Sequence, residues 1–109
     1  MKNKMIDKYS IGGSRTFPSE TEFLARLRQE GWETEYIKKI HSHESQHLNK
    51  AIELGHYAQY AITFTPDGIL PAIFIPDIDS IPKQDLINII SAPDELSPGD
   101  LERLERLRT

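Results

Sequence analysis

Hydrophobic residues recur at helical spacing through the centre of the chain. From Thr34 to Leu54 they follow at intervals of one, three or four residues, and Gly55 stands where a left-handed residue can close a helix. This pattern predicts a central amphipathic helix of about 20 residues. A shorter amphipathic stretch over 20–30 opens at Ser19, a typical capping residue, and we expect this first helix to pack on the central one.

After Gly55 the hydrophobic period changes from that of a helix to that of a strand. Residues 57–64 alternate, which predicts a strand with one buried face, and residues 69–75 fit a returning strand. Between them the segment Thr-Pro-Asp-Gly at 65–68 is typical of a turn, so the two strands should form a β-hairpin. Pro71 lacks an N–H group, which favours an edge strand or a bulge.

Two further helices are predicted towards the end of the chain. One begins at Pro82 and stops before Pro93, and the last begins near Ser97. Residues 1–18 carry few apolar positions, and we expect a flexible N-terminal arm there. The chain thus predicts an α+β fold in which residues 19–109 form one domain, with a long helix packed against a small sheet that contains the hairpin.

Composition and charge exclude several classes of protein. The 109 residues include no cysteine, so disulfides and thiolate metal sites are excluded. A net charge of −4 argues against a nucleic-acid partner. No apolar run approaches the roughly 18 residues that a membrane helix needs, and the N-terminus lacks a signal-peptide pattern, so we expect a cytoplasmic protein with no membrane partner. Oligomeric state and protein partners stay open.

The central helix contains the motif His43-Glu44-Ser45-Gln46-His47, which has the form HExxH. Residues four apart on a helix lie on one face, so His43 and His47 can bind the same Zn²⁺ ion. Glu44 lies on a neighbouring part of that surface, where its carboxylate can act as general base without being a ligand. The alternative is a polar helix whose histidines are solvated or capped by neighbours.

A zinc ion held tightly by two histidines needs a third protein donor, which must be His, Asp or Glu in a chain without cysteine. His56 would qualify only if the chain turned back after the helix. Asp77 and Asp79 belong to a loop that could reach the metal, although Asp is more commonly a turn-forming residue in such a segment.

Three segments together resemble the peptidase domain of the FtsH-type ATP-dependent zinc metalloproteases. They are the HESQH motif with its following Ala51 and Leu54-Gly55, the hairpin sequence AITFTPDG at 61–68, and SPGDL at 97–101. The resemblance covers roughly 36–107 and implies a zincin-like fold. Gln46 stands where that family usually has Gly. We expect a minimal form of the domain, without the ATPase module.

The resemblance also implies roles for particular residues. Zinc would be bound by His43, His47 and Asp100, with Glu44 as the catalytic residue. Asp100 has a competing interpretation, because Ser97-x-x-Asp100 is also a capping-box pattern.

The expected function is that of a small zinc metallopeptidase. A peptide or protein substrate would lie along the hairpin edge, and Tyr57 and Tyr60 are candidates for stabilising the transition state. One alternative is a catalytically inactive zincin-like interaction or regulatory module. Another is a metal-dependent hydrolase that acts on a different bond.

Overall fold

The structure, a computed structural model, describes residues 14–108. They form an α+β fold with four α-helices and a three-stranded antiparallel sheet of order β1-β2-β3. The elements are β1 (Ser14–Phe17), α1 (Glu20–Gln29), α2 (Thr34–Glu53), β2 (Gln59–Thr65), β3 (Gly68–Phe74), α3 (Lys83–Ile90) and α4 (Pro98–Arg108), with a short 3₁₀ turn at Ile78–Ser80. The expected α+β class, helices and hairpin are confirmed.

Helix α1 begins as the capping-box pattern predicts. The Ser19 hydroxyl accepts a hydrogen bond from the Glu22 N–H at 3.3 Å, which satisfies one of the free amides of the first turn. Phe23 and Leu27, one turn apart on the inner face, are fully buried. Leu27 and Ile37 belong to the same core, so α1 packs on α2 as expected.

Helix α2 ends in a Schellman motif at the predicted glycine. Gly55 has φ +92°, a conformation that residues with a Cβ rarely adopt. Its N–H bonds to the Ile52 carbonyl at 2.9 Å, and the His56 N–H bonds to the Ala51 carbonyl at 2.9 Å. The chain therefore leaves α2 abruptly and can turn into the sheet.

Part of the predicted flexible arm is a strand. Residues 14–17 pair with β2 in the register Ser14↔Thr63 to Phe17↔Tyr60, and Phe17 is buried. The prediction of an arm over 1–18 is wrong for this segment. Its pattern offered too few apolar positions to be recognised, and the segment is ordered by pairing with a distant strand. Residues 1–13 of that predicted arm lie outside the described residues.

The central strand β2 is buried on both faces, whereas the alternation predicted one buried face. Ala61 and Ile62, which point to opposite sides, are both fully buried, and Thr63 is buried as well. The second face is exposed or partly exposed at Tyr57 and Gln59 and buried at Ala61 and Thr63. These two small side chains lie between paired residues of β1 and β3.

Strand β3 is the edge strand that its proline predicts. Thr65 and Gly68 flank a two-residue turn and pair with each other, and Pro71 pairs with Ile62 three steps further along. Because hydrogen-bonded and non-hydrogen-bonded pairs alternate in an antiparallel ladder, the nitrogen of Pro71 points away from β2. The free edge of β3 thus carries the outward backbone groups of Ile69, Pro71 and Ile73.

Two hydrophobic clusters hold α2 in place. In the first, between α1, α2 and the sheet, the Phe23 ring stacks on Tyr60 with centroids 4.5 Å apart. The second joins the end of α2 to α3 through Ala51, Ile75 and Ile89. The two clusters fix α2 relative to both the sheet and α3. Within residues 14–108, no helix combines the length and the apolar character that a membrane crossing requires.

Candidate metal centre

Two helices bring the candidate ligands together. His43 and His47 lie one turn apart in the middle of α2, and Asp100 lies in the first turn of α4. Their ligand atoms all fall within 4.8 Å of one another, so the three side chains form a group that could hold a metal ion. His47 and Asp100 are buried, and His43 is partly exposed.

The distances inside this group have the size expected for ligands of one tetrahedral ion. His43 Nε2 lies 3.2 Å from His47 Nε2 and 3.0 Å from Asp100 Oδ2, and His47 Nε2 lies 3.4 Å from Asp100 Oδ1. Ligands placed about 2.0–2.1 Å from a tetrahedral zinc ion are about 3.3 Å apart. The two imidazole nitrogens have this spacing, and each lies at a similar distance from one oxygen of the Asp100 carboxylate.

A backbone carbonyl orients the second histidine. The Nδ1–H group of His47 donates to the carbonyl oxygen of Ile89, in the last turn of α3, at 2.8 Å. Since a carbonyl can only accept, Nδ1 carries a proton. Nε2 faces His43 and Asp100, with a lone pair in the neutral ring and with an N–H that can donate to Asp100 in the protonated ring. Metal-binding histidines are commonly held in this way, by a hydrogen bond from the second ring nitrogen.

Asp100 caps its helix and also faces the histidines. Its Oδ2 accepts the Ser97 N–H at 3.1 Å, and the Ser97 hydroxyl accepts the Asp100 N–H at 3.1 Å, which completes the capping box. Burial alone would raise the pKa of Asp100. Hydrogen bonds from His47 and from the Ser97 amide, together with the nearby histidine charges, lower that pKa to about 2. The carboxylate is thus ionised at neutral pH.

Burial acts on His47 and Glu44 in opposite directions. It would lower the pKa of His47, but the hydrogen bonds to Asp100 and the Ile89 carbonyl raise that pKa overall, with help from the charges of Asp100 and Glu44. For Glu44, which is 8% exposed, burial raises the pKa to about 7; Asp100 adds to the effect, and His47 and Arg103 oppose it. A carboxyl group with a pKa near 7 suits general base catalysis.

The other candidate ligands lie elsewhere in the described structure. His56 Nε2 lies 3.0 Å from Asp85 Oδ2, so this histidine connects the segment after α2 to α3. Asp77 and Asp79 are exposed at the 3₁₀ turn and are not part of the group formed by His43, His47 and Asp100. His41 pairs with Glu20 of α1.

The candidate metal centre lies in an open cleft of about 1210 Å³ between α2, β3 and the segment leading into α4. Arg103 and Trp32, which we did not predict as site residues, line this cleft, whereas Tyr57 and Tyr60 do not. The Tyr60 hydroxyl instead forms a hydrogen bond with the Ser45 hydroxyl at 2.7 Å. A signal for Arg103 existed in the sequence, because it lies one turn beyond Asp100 on the same helix.

Gln46, the departure from the FtsH-type pattern, has a structural role. Its side-chain oxygen accepts the N–H of Asp94 at 3.3 Å. This bond ties the segment before α4 to α2, and α4 carries Asp100. Gln46 therefore contributes to the placement of Asp100 beside the two histidines.

Comparisons with protein families, with curated proteins and with solved structures find no match for this chain. The likeness to FtsH-type peptidases therefore remains a resemblance carried by the HESQH, TPDG and SPGD segments. The geometry of the candidate metal centre is independent of that resemblance, because it consists of distances between side chains from two separate helices.

Proposed function

We propose that this protein is a small zincin-like metallopeptidase that binds Zn²⁺ through His43, His47 and Asp100. The observation that carries the proposal is the convergence of two imidazoles and one carboxylate. The two Nε2 atoms lie 3.2 Å apart, and each lies 3.0–3.4 Å from one of the two Asp100 carboxylate oxygens. The three residues also line an open cleft, so a substrate can approach them. A catalytic zinc site has this composition, with three protein ligands and one position left for water or substrate.

A residue beside the donor set favours zinc among the transition metals. Two histidines and a carboxylate also bind iron(II) in non-haem oxygenases, so the ligands alone do not decide the metal. The buried acid Glu44, next to the first ligand, is typical of zinc hydrolases with the HExxH motif. When bound, zinc would supply Lewis-acid activation of a water molecule and of the scissile carbonyl.

Glu44 is the proposed general base. It lines the cleft from the same turn of α2 as His43, and it is not one of the three clustered ligands. Its carboxylate would take the proton of the attacking water and pass it to the leaving amine. Arg103 lines the cleft from α4, and its charge acts on Glu44. We assign Arg103 to stabilise the negative charge that develops on the substrate carbonyl.

The free edge of β3 is the proposed binding site for the peptide substrate. Residues 69–75 line the cleft opposite α2, and β3 has no partner strand on that side in the described sheet. An extended peptide can add to such an edge through its backbone hydrogen bonds. Pro71 removes one donor from that edge, whereas Ile69 and Ile73 keep theirs.

The variant Glu44→Gln tests the assignment of roles. We expect untagged wild-type protein to contain stoichiometric zinc and to cleave unstructured peptides. We expect Glu44→Gln to keep the zinc and to lose hydrolysis, because the amide cannot accept the proton. Elemental analysis and mass spectrometry of peptide products measure the two properties separately.

The results separate the alternatives. Loss of zinc in Glu44→Gln would make Glu44 a ligand, and surviving activity would refute its role as the base. Wild-type protein that neither binds zinc nor cleaves peptides would favour the inactive interaction module.

A further inference from the structure

One end of the cleft is lined by aromatic side chains. Trp32 precedes α2 and Tyr36 lies in its first turn, with their rings edge to face and their centroids 5.1 Å apart. Both residues line the cleft, and Tyr36 is 51% exposed. Edge-to-face aromatic pairs are favourable and provide a rigid apolar surface.

The start of β3 lies at the same end. Ile69 packs on the hydrophobic cluster that includes Trp32, whereas Ile73 and Ile75 pack on the cluster at the far end of α2. β3 therefore runs alongside α2 in the same direction. Leu70, the next residue, also lines the cleft and is 54% exposed, but its side chain points to the opposite face of the sheet from Ile69.

Exposed apolar side chains are common on surfaces and need no explanation when they are scattered. Among the described residues, five large hydrophobic side chains are strongly exposed: Tyr36, Ile52, Tyr57, Leu70 and Leu101. Tyr36 and Leu70 line the cleft, and Tyr36 packs against Trp32. Leu70, on the opposite face of β3, and the other three provide controls.

The distance from the metal centre can be expressed in residues of bound peptide. Tyr36 precedes His43 by two helical turns on nearly the same face of α2, which corresponds to about 10.5 Å along the helix. An extended peptide advances about 3.3 Å per residue, so this distance corresponds to about three residues.

We propose that the Trp32 end of the cleft is a subsite for one large apolar side chain of an extended peptide, about three residues from the bond at the metal centre. The position along the peptide rests on the proposed function, whereas the apolar preference can be measured without hydrolysis. Trp32 and Tyr36 are the specificity-determining residues that contact this side chain. Covering a large apolar side chain should tighten binding by about tenfold or more.

The test is a phenylalanine scan through a blocked hexapeptide, acetylated and amidated, with Ala and Ser at the other positions. Binding to zinc-loaded Glu44→Gln is followed by calorimetry and by the fluorescence of Trp32, the only tryptophan of the chain. Phe at one of the six positions should tighten binding by about tenfold relative to the peptide without Phe. Tyr36→Ala should abolish the preference, and the controls Leu70→Ala, Tyr57→Ala and Leu101→Ala should keep it.

Equal binding of all peptides would overturn the proposed subsite. A preference for one Phe position that survives Tyr36→Ala would overturn it as well. Circular dichroism of each variant identifies any loss of folding, which is not expected at exposed positions. If chelator-treated protein keeps the preference but the wild type cleaves nothing, the subsite stands and the peptidase proposal fails. If peptides are cleaved without regard to the position of Phe, the peptidase proposal stands and the subsite fails.

Discussion

Replacing Glu44 by glutamine should stabilise the metal-free protein at alkaline pH. Glu44 is buried in α2, and burial raises its pKa from the ordinary value of 4.5 to about 7. One pKa unit corresponds to about 1.4 kcal/mol, so the ionised carboxylate should cost about 3 kcal/mol of folding free energy at pH 8. Glutamine has nearly the same shape and carries no charge at any pH.

The sign of the pH dependence follows from proton binding. Below pH 4.5 Glu44 is protonated in both the folded and the unfolded chain, and its contribution to stability is fully present. As the pH rises towards 7, the unfolded chain has already lost the proton that the folded chain keeps, so stability falls. Above pH 7 no further loss occurs, because Glu44 is ionised in both states.

Urea denaturation followed by circular dichroism gives the free energy of unfolding at each pH, with a chelator present. Between pH 4 and pH 8, the stability of Glu44→Gln relative to the wild type should rise by about 3 kcal/mol. Glu35→Gln, on the exposed side of the same helix, is the matched control and should show little change. If the difference in unfolding free energy between Glu44→Gln and wild type stays constant with pH, the raised pKa of the buried Glu44 carboxyl is refuted.

Three further results are expected. His56→Gln should leave the zinc content unchanged, because His56 pairs with Asp85 and not with the proposed ligands; metal loss on elemental analysis would contradict this. Phe23→Ala should lower the free energy of unfolding by about 3–5 kcal/mol, since Phe23 is fully buried against Tyr60, and a loss below about 1 kcal/mol would contradict the described core. Arg103→Met should keep zinc and lower kcat by roughly tenfold or more, and an unchanged kcat would remove its catalytic role.

Features that depend on neighbouring residues could be predicted from the sequence. The spacing of His43 and His47 places them on one helical face, Gly55 marks the end of α2, and Pro71 marks an edge strand. Each of these depends on a local rule of backbone geometry or hydrogen bonding, so a single sequence is sufficient to apply it.

Features that depend on distant partners could not be predicted. No local pattern shows that the Ile89 carbonyl orients His47, that Asp85 pairs with His56, or that Phe17 is buried in a strand paired with β2. Asp100 shows a different limit. Capping and facing the histidines looked like alternatives, but a carboxylate has enough acceptor positions for both.

A crystal structure of the untagged protein loaded with zinc, with anomalous diffraction at the zinc edge, tests the proposed metal centre most directly. We expect one zinc ion at about 2.0–2.2 Å from His43 Nε2, His47 Nε2 and a carboxylate oxygen of Asp100. The Ser97 amide should still donate to the Asp100 carboxylate. A zinc ion bound elsewhere, or one held by the two histidines with His56 in place of Asp100, would contradict the proposed metal centre.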